Sequence, residues 1–147
     1  DVHGEDHATW AASDALCAAL QVINHTQDCG KDYRAIGRVY LPADVMAAHG
    51  ATVEDLGATT ATPALRAVIR DLAARSGVLL AQSAGFAAAI RDRRLGIEVA
   101  IIHRLAASLT ARLKVRDPLS ERVHHRAPEA LGLATLAAAR QVVKGRS

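Results

Sequence analysis

The chain has 147 residues, half of them hydrophobic but only 3% aromatic, and a net charge of +3. That length suits one domain with a real core. The charge excess is mild and scattered, with no aromatics interleaved in a basic stripe, which speaks against nucleic acid as a partner. No uncharged run reaches the roughly 18 residues a bilayer span needs, and no signal peptide is visible.

The apolar excess lies in Ala, Leu and Val, a mix that favours helices packed closely through small side chains. An all-α, antiparallel helical array with short connections is expected over residues 1–147 as part of one domain. The nearest thing to a strand is Val39-Tyr40-Leu41, bounded by Gly37 and Pro42. The opening Asp1-Val-His-Gly has no initiator Met and reads as the tail of one element followed by a turn, as in a processed or partial chain.

A first helix is expected from Thr9 to Tyr33, with Gly30 a weak point near its end. Within it Gln21, Asn24, Asp28 and Asp32 stand three, four and four residues apart. At 100° per residue they fall in an arc of about 80°, one polar stripe among Leu16, Leu20 and Ile23. A DxxxD pair alone is most often a solvated face. Here no Lys or Arg at i+4 from Asp28 relieves the repulsion, and amides continue the stripe. Two carboxylates and two amides offer only hard oxygen, which suits Mg²⁺ with open positions for phosphate oxygens. Cys17 and Cys29 lie on the same helix about 18 Å apart and cannot bridge within it, so reduced, buried thiols in a cytoplasmic protein are expected.

A turn-rich connector runs from Arg34 to Pro42. Pro42 then opens a short helix, Ala43 to Ala48, closed by Gly50, and Val53 to Leu56 reads as a further turn. Thr62 as N-cap and Pro63 at the first helical position start a helix expected to reach Ile90. Its apolar face is Leu65, Ile69, Leu72 and Leu79; its wet face is Arg66, Arg70, Asp71 and Arg75. The basic cluster Arg91–Arg94 suits the negative C-terminal end of that helix. A third helix is expected over Leu95–Lys114, a break at Asp117-Pro118, and a last helix over Glu129–Val143 in which Leu131, Leu133 and Leu136 alternate with Ala. His124-His125 reads as surface, and His103 as a packed or edge histidine.

Gln21-x-x-Asn24-x-x-x-Asp28-x-x-x-Asp32 followed by Arg38-Val-Tyr-Leu-Pro42 resembles the second aspartate-rich motif of the squalene/phytoene synthase family, head-to-head prenyl synthases with the all-α isoprenoid-synthase fold. Leu20-Gln-Val-Ile-Asn-His-Thr-Gln-Asp-Cys29 and Asp117-Pro-Leu-Ser-Glu-Arg-Val123 resemble its bacterial hydroxysqualene synthase branch, of hopanoid biosynthesis. The likeness covers nearly the whole chain but only the C-terminal half of such an enzyme. It implies Asp28 and Asp32 as catalytic metal ligands, with Asn24 supporting a Mg²⁺ ion or the leaving group. It implies Gln21, Asn24, Arg38, Tyr40 and Arg122 around a prenyl diphosphate, presqualene or farnesyl diphosphate. The implied reaction is loss of diphosphate from presqualene diphosphate to give hydroxysqualene, in a lyase of a transferase family. Sibling head-to-head condensations and a non-catalytic helical module are the alternatives. Ala84–Ala89 would either wall an apolar channel for the cation or serve tight helix packing.

Three departures accompany the resemblance. The family's first aspartate motif is absent, so this chain alone is expected to be inactive or to need a further half. Lys31 stands where an acidic residue is frequent, and Ile101-Ile-His103 where an aromatic is. His25, beside the stripe, is a candidate to position the capturing water. A half-array would expose apolar faces, so self-association is expected. A lipid substrate would bring peripheral contact with the inner face of the membrane.

Overall fold

The computed structural model describes residues 4–144, and among these the chain is helical, with no strand. Six helices follow in order: α1 (Trp10–Ile36), α2 (Ala43–Ala48), α3 (Pro63–Gln82), α4 (Phe86–Ala89), α5 (Arg93–Val115) and α6 (Ala127–Lys144). Short 3₁₀ turns stand at His7–Thr9 and Glu54–Gly57. Among the described residues, no helix is long and apolar enough to cross a membrane.

The helices form a row, α1 on α3, α3 on α5 and α5 on α6, with α1 also touching α5. Their directions follow from contacts at the ends. The Glu5 carboxylate accepts the N–H groups of Arg91 and Asp92, at 2.8 Å each, so α1 and α5 begin side by side. The start of α3 meets the end of α5, where Arg66 donates to the carbonyls of Val115 and Arg116. α6 starts beside the last turns of α5 through Arg112–Glu129 and runs back to Ala87, whose carbonyl accepts from Gln141. Neighbours in the row are therefore antiparallel, as short connections require. Ile23, Leu56, Leu65, Val68, Ile69 and Leu113 are fully buried between them.

α1 runs to Ile36, three residues past the expected Tyr33, because Gly37 takes φ 67° and closes it with a left-handed cap. Gly30 is not a weak point. It is buried in the helix, and a Cβ there would lie 2.8 Å from Leu119 Cγ, so the glycine admits the loop that follows α5.

α3 stops at Gln82 rather than Ile90. Ser83 is buried, and its Oγ donates to the Leu80 carbonyl at 3.0 Å. His103 Nε2 lies 2.9 Å from the same oxygen and is its second donor. Side chains thus satisfy a carbonyl that the next helical turn would otherwise take. His103 is accordingly a packing group. α5 begins two residues before the expected Leu95, since Asp92 caps the N–H groups of Arg94 and Leu95. α6 likewise begins at Ala127, two residues early.

One burial expectation is corrected. Cys17 is exposed; Cys29 alone is buried. On α6, Leu131 and Leu136 are 69% and 43% exposed, and the small Ala137 is the buried contact. Val78, Val115 and Val143 are also exposed.

The segment joining α5 to α6 is tied down by several groups. Arg112 donates to the Val123 and His124 carbonyls, each at 3.3 Å, and Arg116 to the Arg122 carbonyl at 2.9 Å. His125 Nε2 lies 3.0 Å from Ser108 Oγ. Burial, and then the Arg112 charge, hold the His125 pKa below its ordinary value. In the unfolded chain this imidazole takes its proton near pH 6.5. Over the range just below that, the unfolded state binds more protons, so the fold loses stability as pH falls through it, down to the lowered folded pKa. His125→Asn is expected to flatten that part of a plot of melting temperature against pH.

Candidate diphosphate site

The polar stripe runs along the C-terminal half of α1, on the side away from buried Ile23, Thr26 and Cys29. Gln21 and Asn24 are exposed, and Asp28 and Asp32 half-buried, so the carboxylates stand at the margin of the helix row. The Asn24 side-chain oxygen accepts from Gln27 Nε2 at 3.2 Å, while Gln27 Oε1 is buried without a hydrogen-bond partner. The carboxylate of Asp28 has two cationic neighbours, Lys31 Nζ at 4.0 Å and His124 Nε2 at 3.6 Å, the second an ion pair only when His124 is protonated. Neither distance is that of a hydrogen bond. The Asp32 carboxylate makes no hydrogen bond or ion pair with any described residue. The repulsion expected between the two acids is therefore only loosely offset, by Lys31 at i+3 rather than by a residue at i+4.

Two loops approach the stripe. After α1 the chain turns at Gly37 so that Tyr40 stacks on His25 of the helix, with ring centroids 4.3 Å apart and planes 11° from parallel. Arg38 donates to the Tyr40 hydroxyl at 3.0 Å, and that bond, ahead of the more distant Asp32 charge, raises its pKa. His25, a candidate to position water, is thus engaged with Tyr40 through its ring face. From the other side comes the loop after α5, with Leu119 seated on Gly30 and His124 reaching Asp28. Arg122 stands in that loop, exposed, donating to the His125 carbonyl at 3.4 Å. The structure gives it no contact with the stripe.

His124 is exposed, in line with its surface reading, but its approach to Asp28 was not foreseen from the sequence, and neither was the role of Asp117. Asp117 was read as a chain breaker, yet it is a buried acceptor: Oδ2 takes the Ala61 N–H at 2.8 Å and the Ser120 hydroxyl at 3.0 Å, and Oδ1 takes the Leu119 N–H at 2.9 Å. Its own N–H donates to Glu121 Oε1 at 3.2 Å. The pattern Asp-x-x-Ser-Glu, a side-chain acceptor followed by reciprocating polar groups, was the available signal.

The donor set fits a hard cation in part. Asp28, Asp32 and Asn24 offer oxygen along one helix face, and Gln27 Oε1 beside them lacks a donor. Burial pushes the Cys29 thiol up to about 11, so no thiolate competes at neutral pH. Among the described residues, however, no group of three or more His, Cys, Asp or Glu converges as a metal cage. The stripe is one wall. The Ala-rich segment after α3 is elsewhere: Ala84 and Ala87 border a cavity of about 290 Å³ that includes no stripe residue.

Comparison with known proteins bears on the family of the chain. The chain is 58% identical over 139 residues to a hydroxysqualene synthase of Zymomonas mobilis, covering 95% of this chain and 47% of that protein. It is 56% identical over 124 residues to a hydroxysqualene synthase of Rhodopseudomonas palustris, covering 84% and 42% respectively. A phytoene synthase of Thermus thermophilus is 33% identical over 114 residues, 78% of this chain and 39% of that protein. The chain thus spans about half the length, or less, of the curated relatives it matches. No solved structure matches it significantly. The helical row agrees with the all-α isoprenoid-synthase fold. With its residues 1–129 matching the squalene/phytoene synthase description, the chain belongs to that family.

Proposed function

We propose that the protein carrying this chain ionises a prenyl diphosphate, and that Asp28 and Asp32 build one wall of the site receiving the departing pyrophosphate. The observation that carries this reading is the pair of loosely compensated carboxylates one turn apart on α1. Asp28, Asp32 and Asn24 would hold Mg²⁺. The ion would supply charge stabilisation to the leaving oxygen. Arg38, oriented by Tyr40, and Arg122 would offer their guanidinium groups to the diphosphate, while Gln21 extends the polar face.

The reaction proposed is conversion of presqualene diphosphate to hydroxysqualene, with water ending the cationic sequence. Identities of 49–58% to proteins named hydroxysqualene synthase support this choice over the sibling condensation reactions. A lipid substrate further implies peripheral contact with a membrane. The test is mass spectrometry of products when the enzyme containing this chain is given presqualene diphosphate and Mg²⁺. Hydroxysqualene is expected. Squalene or phytoene in its place would move the protein to a sibling reaction, and no turnover of any prenyl diphosphate would favour a non-catalytic helical module.

A further inference from the structure

The cavity beside α4 has a composition of its own. Ala84 and Ala87 form one wall, Ala100 and Ala107 of α5 a second, and Leu136 and Ala137 of α6 a third. Three elements meeting through Ala leave space between them, about 290 Å³, near the lower limit of roughly 300 Å³ for ligand cavities. The neutral polar groups around this space are already engaged. Ser83 Oγ and His103 Nε2 share the Leu80 carbonyl, and Gln141 Nε2 donates to the Ala87 carbonyl at 2.8 Å.

The charged groups are not engaged. Arg104 and Arg140 line the same cavity from α5 and α6, and both are exposed. Neither makes a hydrogen bond or ion pair with any described residue. No Asp or Glu lines the space. An apolar chamber with two uncompensated guanidinium groups complements one kind of molecule, a hydrocarbon chain carrying an anionic head.

We propose that this cavity binds a single-chain anionic amphiphile, its chain among the alanines and its phosphate or carboxylate on Arg104 and Arg140. The site shares no residue with the aspartate stripe and does not rest on the reading of that stripe. Its occupant is a monomeric molecule, since the chamber admits one chain and not a bilayer surface.

Dodecyl phosphate, kept below its micelle concentration, is the probe for calorimetric titration of the protein that contains this chain. Saturable one-to-one binding is expected without added metal. Joint substitution Arg104→Ala and Arg140→Ala, both at exposed positions, is expected to weaken it at least tenfold. Ala137→Leu, which fills the chamber, is expected to abolish it, and the exposed arginine pair keeps the test decisive should that core variant misfold. Asp28→Asn with Asp32→Asn is expected to leave it unchanged. The proposal is overturned by no binding, by indifference to the arginine pair, or by loss with the aspartates. Equal affinity for dodecyltrimethylammonium or for inorganic phosphate alone would also overturn it, as would attachment only to phosphatidylglycerol vesicles.

Discussion

Replacing Asp28 or Asp32 by Asn in the enzyme that contains this chain is expected to lower turnover by roughly 10²–10⁴-fold, because a metal-held leaving group is worth several kcal/mol and each ~1.4 kcal/mol is a factor of ten. Folding is not expected to suffer. The two carboxylates stand half-exposed one turn apart, and removing one charge relieves a repulsion of about 0.2–0.5 kcal/mol. Melting temperature should therefore hold or rise slightly while turnover collapses, a combination that separates a functional carboxylate from a structural one. The rate should also respond to Mg²⁺, with the Asn variants needing more of the ion for half-maximal activity. Turnover within threefold of the parent in both variants would remove the stripe from the chemistry.

Asp117→Ala should act in the opposite sense, on the fold first. The carboxylate is 6% exposed and accepts three hydrogen bonds, from Ala61, Leu119 and Ser120. Hydrogen bonds to a charged group contribute about 1.5–3 kcal/mol each, and the truncation leaves two buried N–H groups without an acceptor. A loss of about 3–5 kcal/mol is expected, a large part of the roughly 5–15 kcal/mol that holds a typical domain together. Urea or thermal unfolding measures it. Asp117→Asn, which keeps one acceptor oxygen, should lose less. Because Leu119 and His124 belong to the loop this residue anchors, the Ala variant should also disturb the approach of His124 to Asp28. A loss under 1 kcal/mol would mean the loop is held mainly by Arg112 and Arg116.

The helices legible in the sequence were those whose ends carry their own chemistry. Thr62-Pro63 begins α3 through a hydroxyl that accepts the Leu65 N–H at 3.2 Å, and Pro42 and Gly50 bracket α2. The stripe was legible for a similar reason, since a helical period fixes which residues share a face once α1 is granted. The end of α3 was not legible. Leu79 to Ile90 has the composition of continuing helix, and what stops it is a carbonyl shared by Ser83 and a histidine 23 residues away.

Local sequence, then, determined the helical class, the starts of helices and the grouping of Gln21, Asn24, Asp28 and Asp32 on one face, because each depends on bonds and periods spanning a few residues. Tertiary structure alone decided that Gly30 serves as a seat for Leu119, that His124 comes to Asp28, that Asp117 is buried, and that alanines from three elements leave a cavity rimmed by Arg104 and Arg140. Those outcomes turn on which surfaces meet across the row, and helical periodicity carries no information about the partner a face will find.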